Sequence, residues 1–133
     1  MRSASRKVQR LTLSGEYRLV REQGRSWTGR WLVMGVWRKK ESGGGEAEGS
    51  PGESSAPRFG VVTSKRVGGA VVRNRVRRRI RHIHLAQHER VERGVWCVVV
   101  ARFRASEASY ADLESEWVKL AGRAGVLRGV GKG

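Results

Sequence analysis

The chain has 133 residues, with 28 Lys and Arg against 12 Asp and Glu, for a formal net charge of +16. This length supports one hydrophobic core, so the sequence predicts a single domain over residues 1–133 and excludes a multidomain enzyme. With 38% hydrophobic residues and 2 prolines it is not a disordered basic tail, and so large a cationic surplus calls for an anionic partner, most commonly nucleic acid.

Three further exclusions follow. The single cysteine, Cys97, has no partner for an intramolecular disulfide, which fits a reducing cytoplasm. The longest apolar run, residues 95–101, is far too short to span a membrane. The basic residues 1–10 precede no apolar stretch of the kind a secretion signal needs. The expectation is an unexported cytoplasmic protein with no membrane partner.

In chain order, the first predicted element is a short helix over residues 15–24. Ser14 serves as its cap, Tyr17, Leu19 and Val20 lie close to one face, and Gly24 ends it with a positive φ. Residues 26–37, rich in Trp and Val, predict one or two strands with a turn at Thr28-Gly29. Residues 42–56 are Ser, Gly and Glu with no large apolar side chain, and predict a flexible low-complexity loop. A second strand is expected at 58–64, where Phe59, Val61 and Thr63 alternate with Gly60 and Val62.

Residues 65–92 contain a predicted long helix, preceded by Gly68-Gly69 and closed by Arg93-Gly94. Val72, Val76, Ile80 and Ile83 form one stripe at about 100° per residue. Residues 95–102 read as a fully buried strand, and 108–127 as a last amphipathic helix carrying Tyr110, Leu113, Trp117, Leu120 and Ala121. The fold class is therefore α+β, an α/β sandwich of three helices on a sheet of about four strands.

The long helix carries the chemistry. Arg73, Arg77, His84 and His88 project to one side, with Asn74, Arg78 and Arg81 beside them, while Arg75, Arg79 and His82 lie toward the opposite edge of the stripe. A merely solvated helix face intersperses acids, because bare runs of cations weaken a helix; here no acid occurs before Glu89. Arg rather than Lys suits bidentate contacts to phosphate and stacking on bases. Lys65 and Arg66 flank the Gly68-Gly69 turn at the helix start, where backbone N–H groups face outward. That turn lacks the Gly-Lys-Ser/Thr of a nucleotide-binding loop, so an NTPase is not supported.

The histidines read as partly protonated surface residues extending the anion-binding face. A zinc site is disfavoured, since no His-Glu-x-x-His occurs and the surrounding arginines oppose a dication. No carboxylate pair is tied to a histidine or nucleophile in a way that specifies acid–base catalysis. Among the nine aromatics, most belong in the core, and Tyr17, between Glu16 and Arg18, is expected to remain most accessible for stacking on an unpaired base. On these residues alone, three readings stand: a specific RNA-binding subunit, a general RNA-binding or ribosome-associated structural protein, and a membrane-surface module. The last ranks lowest, because the helix stripe is small and contains no Trp or Phe.

The stretch Ser64-Lys65-Arg66-Val67-Gly68-Gly69, with Ala70 three residues before Arg73-Asn74-Arg75 and then Arg77, Arg78 and Arg81, resembles the signature of the bacterial ribonuclease P protein subunit. The likeness continues in order through Arg10-Leu11, Gly24-Arg25-Ser26, the strand ending Ala101-Arg102 and the closing helix. The resemblance implies a sandwich with a left-handed βαβ crossover, like the second domain of a small-subunit ribosomal protein and a domain of elongation factor G. It also implies that a large RNA, with its own bound Mg2+, cleaves the 5′ leader from precursor tRNA. The protein would supply no catalytic residue and bind no cofactor or metal itself, and would act as a monomer within the ribonucleoprotein.

By position, Lys65, Arg66, Arg73, Asn74, Arg75, Arg77, Arg78 and Arg81 would bind that RNA. Tyr17 matches the first aromatic of a leader-binding cleft between helix and sheet. The family often has a second aromatic one turn later and another on the central strand, where this chain has Arg21 and Gly35. Arg21 offers a phosphate or cation–π contact instead. The 42–56 loop is longer and more acidic than is usual in the family.

Overall fold

The computed structural model describes residues 9–10, 14–38 and 56–128. Except for Ala56, the predicted loop at 42–56 lies outside the described residues. The elements run β1 (Gln9–Arg10), α1 (Ser14–Gln23), β2 (Arg25–Thr28), β3 (Leu32–Arg38), β4 (Arg58–Thr63), α2 (Ala70–Gln87), β5 (Val95–Ala101) and α3 (Tyr110–Ala124). Short 3-10 turns at Lys65–Val67, His88–Arg90 and Phe103–Glu107 bracket the long helix and follow the last strand.

One mixed sheet has the order β1-β4-β5-β3-β2. Four of its strands are those expected, and the two-residue β1 adds a parallel edge beside β4. β5 lies at the centre, antiparallel to β3 from Leu32↔Ala101 to Arg38↔Val95 and parallel to β4 from Arg58↔Trp96 to Thr63↔Ala101. Parallel neighbours need a crossover, and α2 supplies it.

The period of two along each strand sends side chains to two unlike faces. Leu32, Met34 and Val36 of β3, Phe59 of β4, and Cys97 and Val99 of β5 join Val76, Ile80 and Ile83 of α2 and Leu113, Trp117 and Leu120 of α3 in the main core. On the opposite face, Val98 packs with Val20 of α1, and Tyr17, Trp37, Trp96 and Val100 surround them. β5 is thus covered on both faces, although Trp96 and Val100 remain half-buried where full burial was expected. α1 is too short to cover that whole side of the sheet.

Local chemistry explains the element boundaries. The long helix begins at Ala70, directly after the Gly68-Gly69 pair expected to precede it, because Gly68 has φ 147° and breaks the backbone between the 3-10 turn and the helix. Gly24 ends α1 for a different reason than expected: it is not among the positive-φ glycines, which are Gly68, Gly94 and Gly125. A Cβ at Gly24 would stand 2.3 Å from the Val36 carbonyl oxygen, so close backbone approach demands glycine there. α3 is the best-capped helix: Ser109 accepts from the Asp112 N–H, Asp112 answers to the Ser109 N–H, and Gly125 closes the end in the left-handed region.

The turn between β2 and β3 is held from across the molecule. The Glu116 carboxylate on α3 accepts N–H bonds from Arg30 (3.0 Å), Trp31 (2.7 Å) and Leu32 (2.8 Å). Among the described residues, no helix is long and apolar enough to cross a membrane.

Candidate nucleic-acid interface

α2 has no intrinsic reason to be stable. Its cap, Gly69, makes no side-chain capping bond, its first turn has no acid, and its outer face is a run of arginines. Packing compensates: Val76, Ile80 and Ile83 are fully buried against the sheet, each contributing about 1.5–3 kcal/mol by area. The same burial fixes which way the cations point.

The predicted RNA-binding residues fall into three groups around α2. Arg73, Asn74 and Arg77 share the edge nearest β4. The Arg77 guanidinium donates to Asn74 Oδ1 at 2.8 Å and to Thr63 Oγ1 at 2.7 Å, so it is held in one orientation by its own helix and by the end of β4. Arg75, Arg78 and Arg81 are exposed on the outer side of the helix. Lys65 and Arg66 are exposed in the preceding 3-10 turn, where Ser64 Oγ accepts the Arg66 N–H. Arg79, on the far edge, donates to the Ala108 carbonyl at 3.0 Å and so ties α2 to the approach to α3.

Among the described residues, no carboxylate lies within ion-pair distance of Lys65, Arg66, Arg73, Arg75, Arg77 or Arg78. Ion pairs form elsewhere, at Arg38–Glu92, Arg58–Glu16 and Arg104–Glu107. The guanidiniums of Arg73, Arg75, Arg77 and Arg78 therefore keep their charge available for phosphates from outside, and Arg77 presents its charge with little rotational freedom left to lose.

His84 corrects the sequence reading. Rather than extending the cationic face, it is buried at 2% exposure, its ring centroid 4.7 Å from Phe59 and 6.0 Å from Trp117. Burial, reinforced by the charges of Arg81 and His88, pushes its pKa down to about 3, so it is neutral at physiological pH. The signal was available in the spacing, since His84 follows Ile80 by four residues and Ile83 by one and so belongs to the apolar stripe. His82 stays exposed, with its ring edge-on to Tyr110 at 6.3 Å.

The predicted cleft residues sit on the opposite face of the sheet from α2. Tyr17 is half-buried rather than open. Its ring lies over β4 where a Cβ at Gly60 would approach the Tyr17 hydroxyl to 2.7 Å, so the missing side chain of Gly60 makes the seat for the ring. Arg21, one turn later on α1, is exposed. Gly35 faces the same side, 3.4 Å from Val20 Cγ1 at its ideal Cβ position.

Sequence reasoning missed the aromatic pair beyond Gly35. Trp37 and Trp96 are register partners with ring centroids 4.8 Å apart. The Arg58 guanidinium lies 5.4 Å from the Trp96 ring centroid and is ion-paired to Glu16 at 2.7 Å. Strand pairing between segments nearly sixty residues apart brings these groups together, and no local pattern encodes it. Two sets of contacts therefore flank β4, with Arg77 at Thr63 on one face and Tyr17 at Gly60 on the other.

Comparison with known proteins accords with this arrangement. The Ribonuclease P family model matches residues 6–125. The ribonuclease P protein component of Acidothermus cellulolyticus is 36% identical over 114 residues, covering 86% of each chain. That of Roseiflexus castenholzii is 31% identical over 125 residues, covering 93% of this chain and 92% of the relative. In three dimensions, the RNase P protein of Staphylococcus aureus superposes with a TM-score of 0.74 at 20% identity, over 92% of this chain and all of that one, which establishes a shared fold. A chain matched over nearly its whole length, with the arginine helix and sheet in the expected places, belongs to the ribonuclease P protein family.

Proposed function

We propose that this chain, as a protein component of ribonuclease P, binds the RNA subunit through the outer face of α2. It also lays the 5′ leader of precursor tRNA along the α1 side of the sheet. The observation that supports this most directly is the set Arg73, Arg75, Arg77 and Arg78, without carboxylate partners among the described residues, on a helix whose underside is locked into the core. The helix cannot turn its charges inward without exposing Val76, Ile80 and Ile83, so those charges serve an external polyanion.

Each residue has a role in this reading. Arg73, Arg75, Arg77, Arg78 and Arg81, with Lys65 and Arg66 at the helix entry, neutralise phosphates of the RNA. Asn74 acts as a positioning residue by holding Arg77. Tyr17 and Arg21 contact the unpaired leader through a π face and a cation. The RNA performs the endonucleolytic 5′ cleavage and holds the Mg2+ ions that assist it; one protein copy reduces the repulsion between two polyanions and so lowers the magnesium requirement.

The test is precursor-tRNA cleavage by the cognate RNA at low magnesium, with and without the protein, alongside binding of Arg73→Ala and Arg77→Ala variants across a salt series. Stimulation of cleavage is expected, together with weaker binding and a salt slope reduced by about one unit for each lost phosphate contact. Unchanged affinity and slope in both variants would remove α2 from the interface. Equal affinity for an unrelated RNA of the same length would favour a general coating protein instead.

A further inference from the structure

One end of the sheet gathers residues from three separate segments. β4 and β5 finish together at Thr63↔Ala101, and β3 begins there at Leu32↔Ala101, just after the Gly29–Trp31 turn. Arg30, Lys65, Arg66, Arg102 and Arg104 all lie at this end and all are exposed. Glu116 is occupied by three backbone N–H groups, and Glu107 pairs with Arg104 at 3.1 Å. The balance is strongly positive.

Phe103, between Arg102 and Arg104 in sequence, is 58% exposed in the 3-10 turn that packs against the Lys65–Val67 turn. Four large apolar side chains are exposed among the described residues, namely Val62, Val71, Leu85 and Phe103; Phe103 alone has a π face. Its neighbours are fixed. The Arg102 N–H donates to the Trp31 carbonyl at 2.8 Å and its guanidinium to the Gly29 carbonyl at 2.7 Å, while the Arg30 guanidinium lies 5.3 Å from the Trp31 ring centroid. The ring is therefore carried on a braced turn.

We infer that Phe103 is a stacking platform for an unpaired ribonucleotide, with Arg30, Lys65, Arg66 and Arg102 taking the flanking phosphates. Bases inside a duplex already have both faces covered, so an isolated exposed ring among cations suits a single strand. The location fits a continuous track: from Tyr17 over Gly60, the next residue of β4 on that face is Val62, 37% exposed, and the strand then ends beside the Phe103 turn. The inference rests on the proposal that the protein acts on RNA. The nucleotide can come from the substrate's leader or from an unpaired stretch of the RNA subunit.

The experiment uses the full chain with its cognate RNA, comparing Phe103→Ala and Phe103→Trp with the parent. One arm measures affinity for the RNA subunit. The other measures holoenzyme affinity for precursor tRNA with leaders of increasing length against leaderless tRNA. Removing a stacked base lowers affinity by about tenfold. A loss of that size for Phe103→Ala, restored by Phe103→Trp, supports the inference: in the leader arm alone it assigns the base to the substrate, and in the assembly arm to the RNA subunit. Unchanged affinity in both arms, or a loss that Trp fails to restore, overturns it. If Arg73→Ala and Arg77→Ala retain full RNA affinity as well, the broader RNA reading fails too; if they lose affinity while Phe103→Ala does not, only the stacking role is lost.

Discussion

His84 shows how one residue on a charged helix takes its chemistry from its surroundings. Its Nε2 is buried without a hydrogen-bond partner among the described residues, and its pKa is depressed from 6.5 to about 3. A group whose folded pKa lies below its unfolded value binds its proton preferentially in the unfolded state. Its contribution to stability is complete above about pH 6.5 and is lost as the pH falls toward 3. Between pH 7.5 and 5 this linkage amounts to about 2 kcal/mol. Urea unfolding at the two pH values should show that loss, and His84→Leu should flatten it, because Leu fills much of the space and leaves no imidazole to protonate.

The same residue marks a limit of sequence reading. The apolar stripe through Val76, Ile80 and Ile83 was legible, and so was the cationic face around Arg73 and Arg77. His84 was assigned by its polarity when its spacing placed it in the core. Gly24 was correctly placed at a helix end, but the constraint there is a carbonyl on β3, which no local pattern reveals.

At the level of elements, the long helix and the hairpin turn are stabilised by different means. α2 depends on its buried face, whereas the β2–β3 turn depends on a single carboxylate from α3. Charged hydrogen bonds of this kind contribute about 1.5–3 kcal/mol each, and removing the acceptor leaves three backbone donors to find water. Glu116→Ala should lower the melting temperature and speed amide exchange at Arg30, Trp31 and Leu32, with little change at Val76 to Ile83. Uniform protection loss across the chain would show that the turn is not a local unit. Glu116 was legible only as an acid on the last helix. Its bonds reach across 84 to 86 residues of sequence, and nothing near it in the chain points to them. The element order was readable because hydrophobic period and turn residues are local signals, the βαβ unit of β4, α2 and β5 was implied only by the family resemblance, and the Trp37–Trp96 pair was hidden for the reason Glu116 was.

Across the whole molecule, a charge of +16 on 133 residues loads the folded state with self-repulsion that a compact shape cannot disperse. Anions that bind the α2 face and the basic end of the sheet relieve it. Sulfate should therefore raise the melting temperature more than chloride at equal ionic strength, since screening is common to both and site binding favours the divalent anion. The gain should shrink in an Arg73→Ala/Arg77→Ala double variant. Equal effects of the two salts would mean that diffuse screening accounts for the whole response.

The empty position on β4 beneath Tyr17 has a consequence for how this surface can change. The three atoms nearest a methyl group at residue 60 all belong to the far end of the rotatable Tyr17 side chain, so the strand could accept alanine by tipping the phenol outward. The domain would stay intact while the floor of the α1 side changed its relief. One carbon atom thus works as a spacer shim, able to retune the contour of the α1 side without disturbing the architecture that carries it.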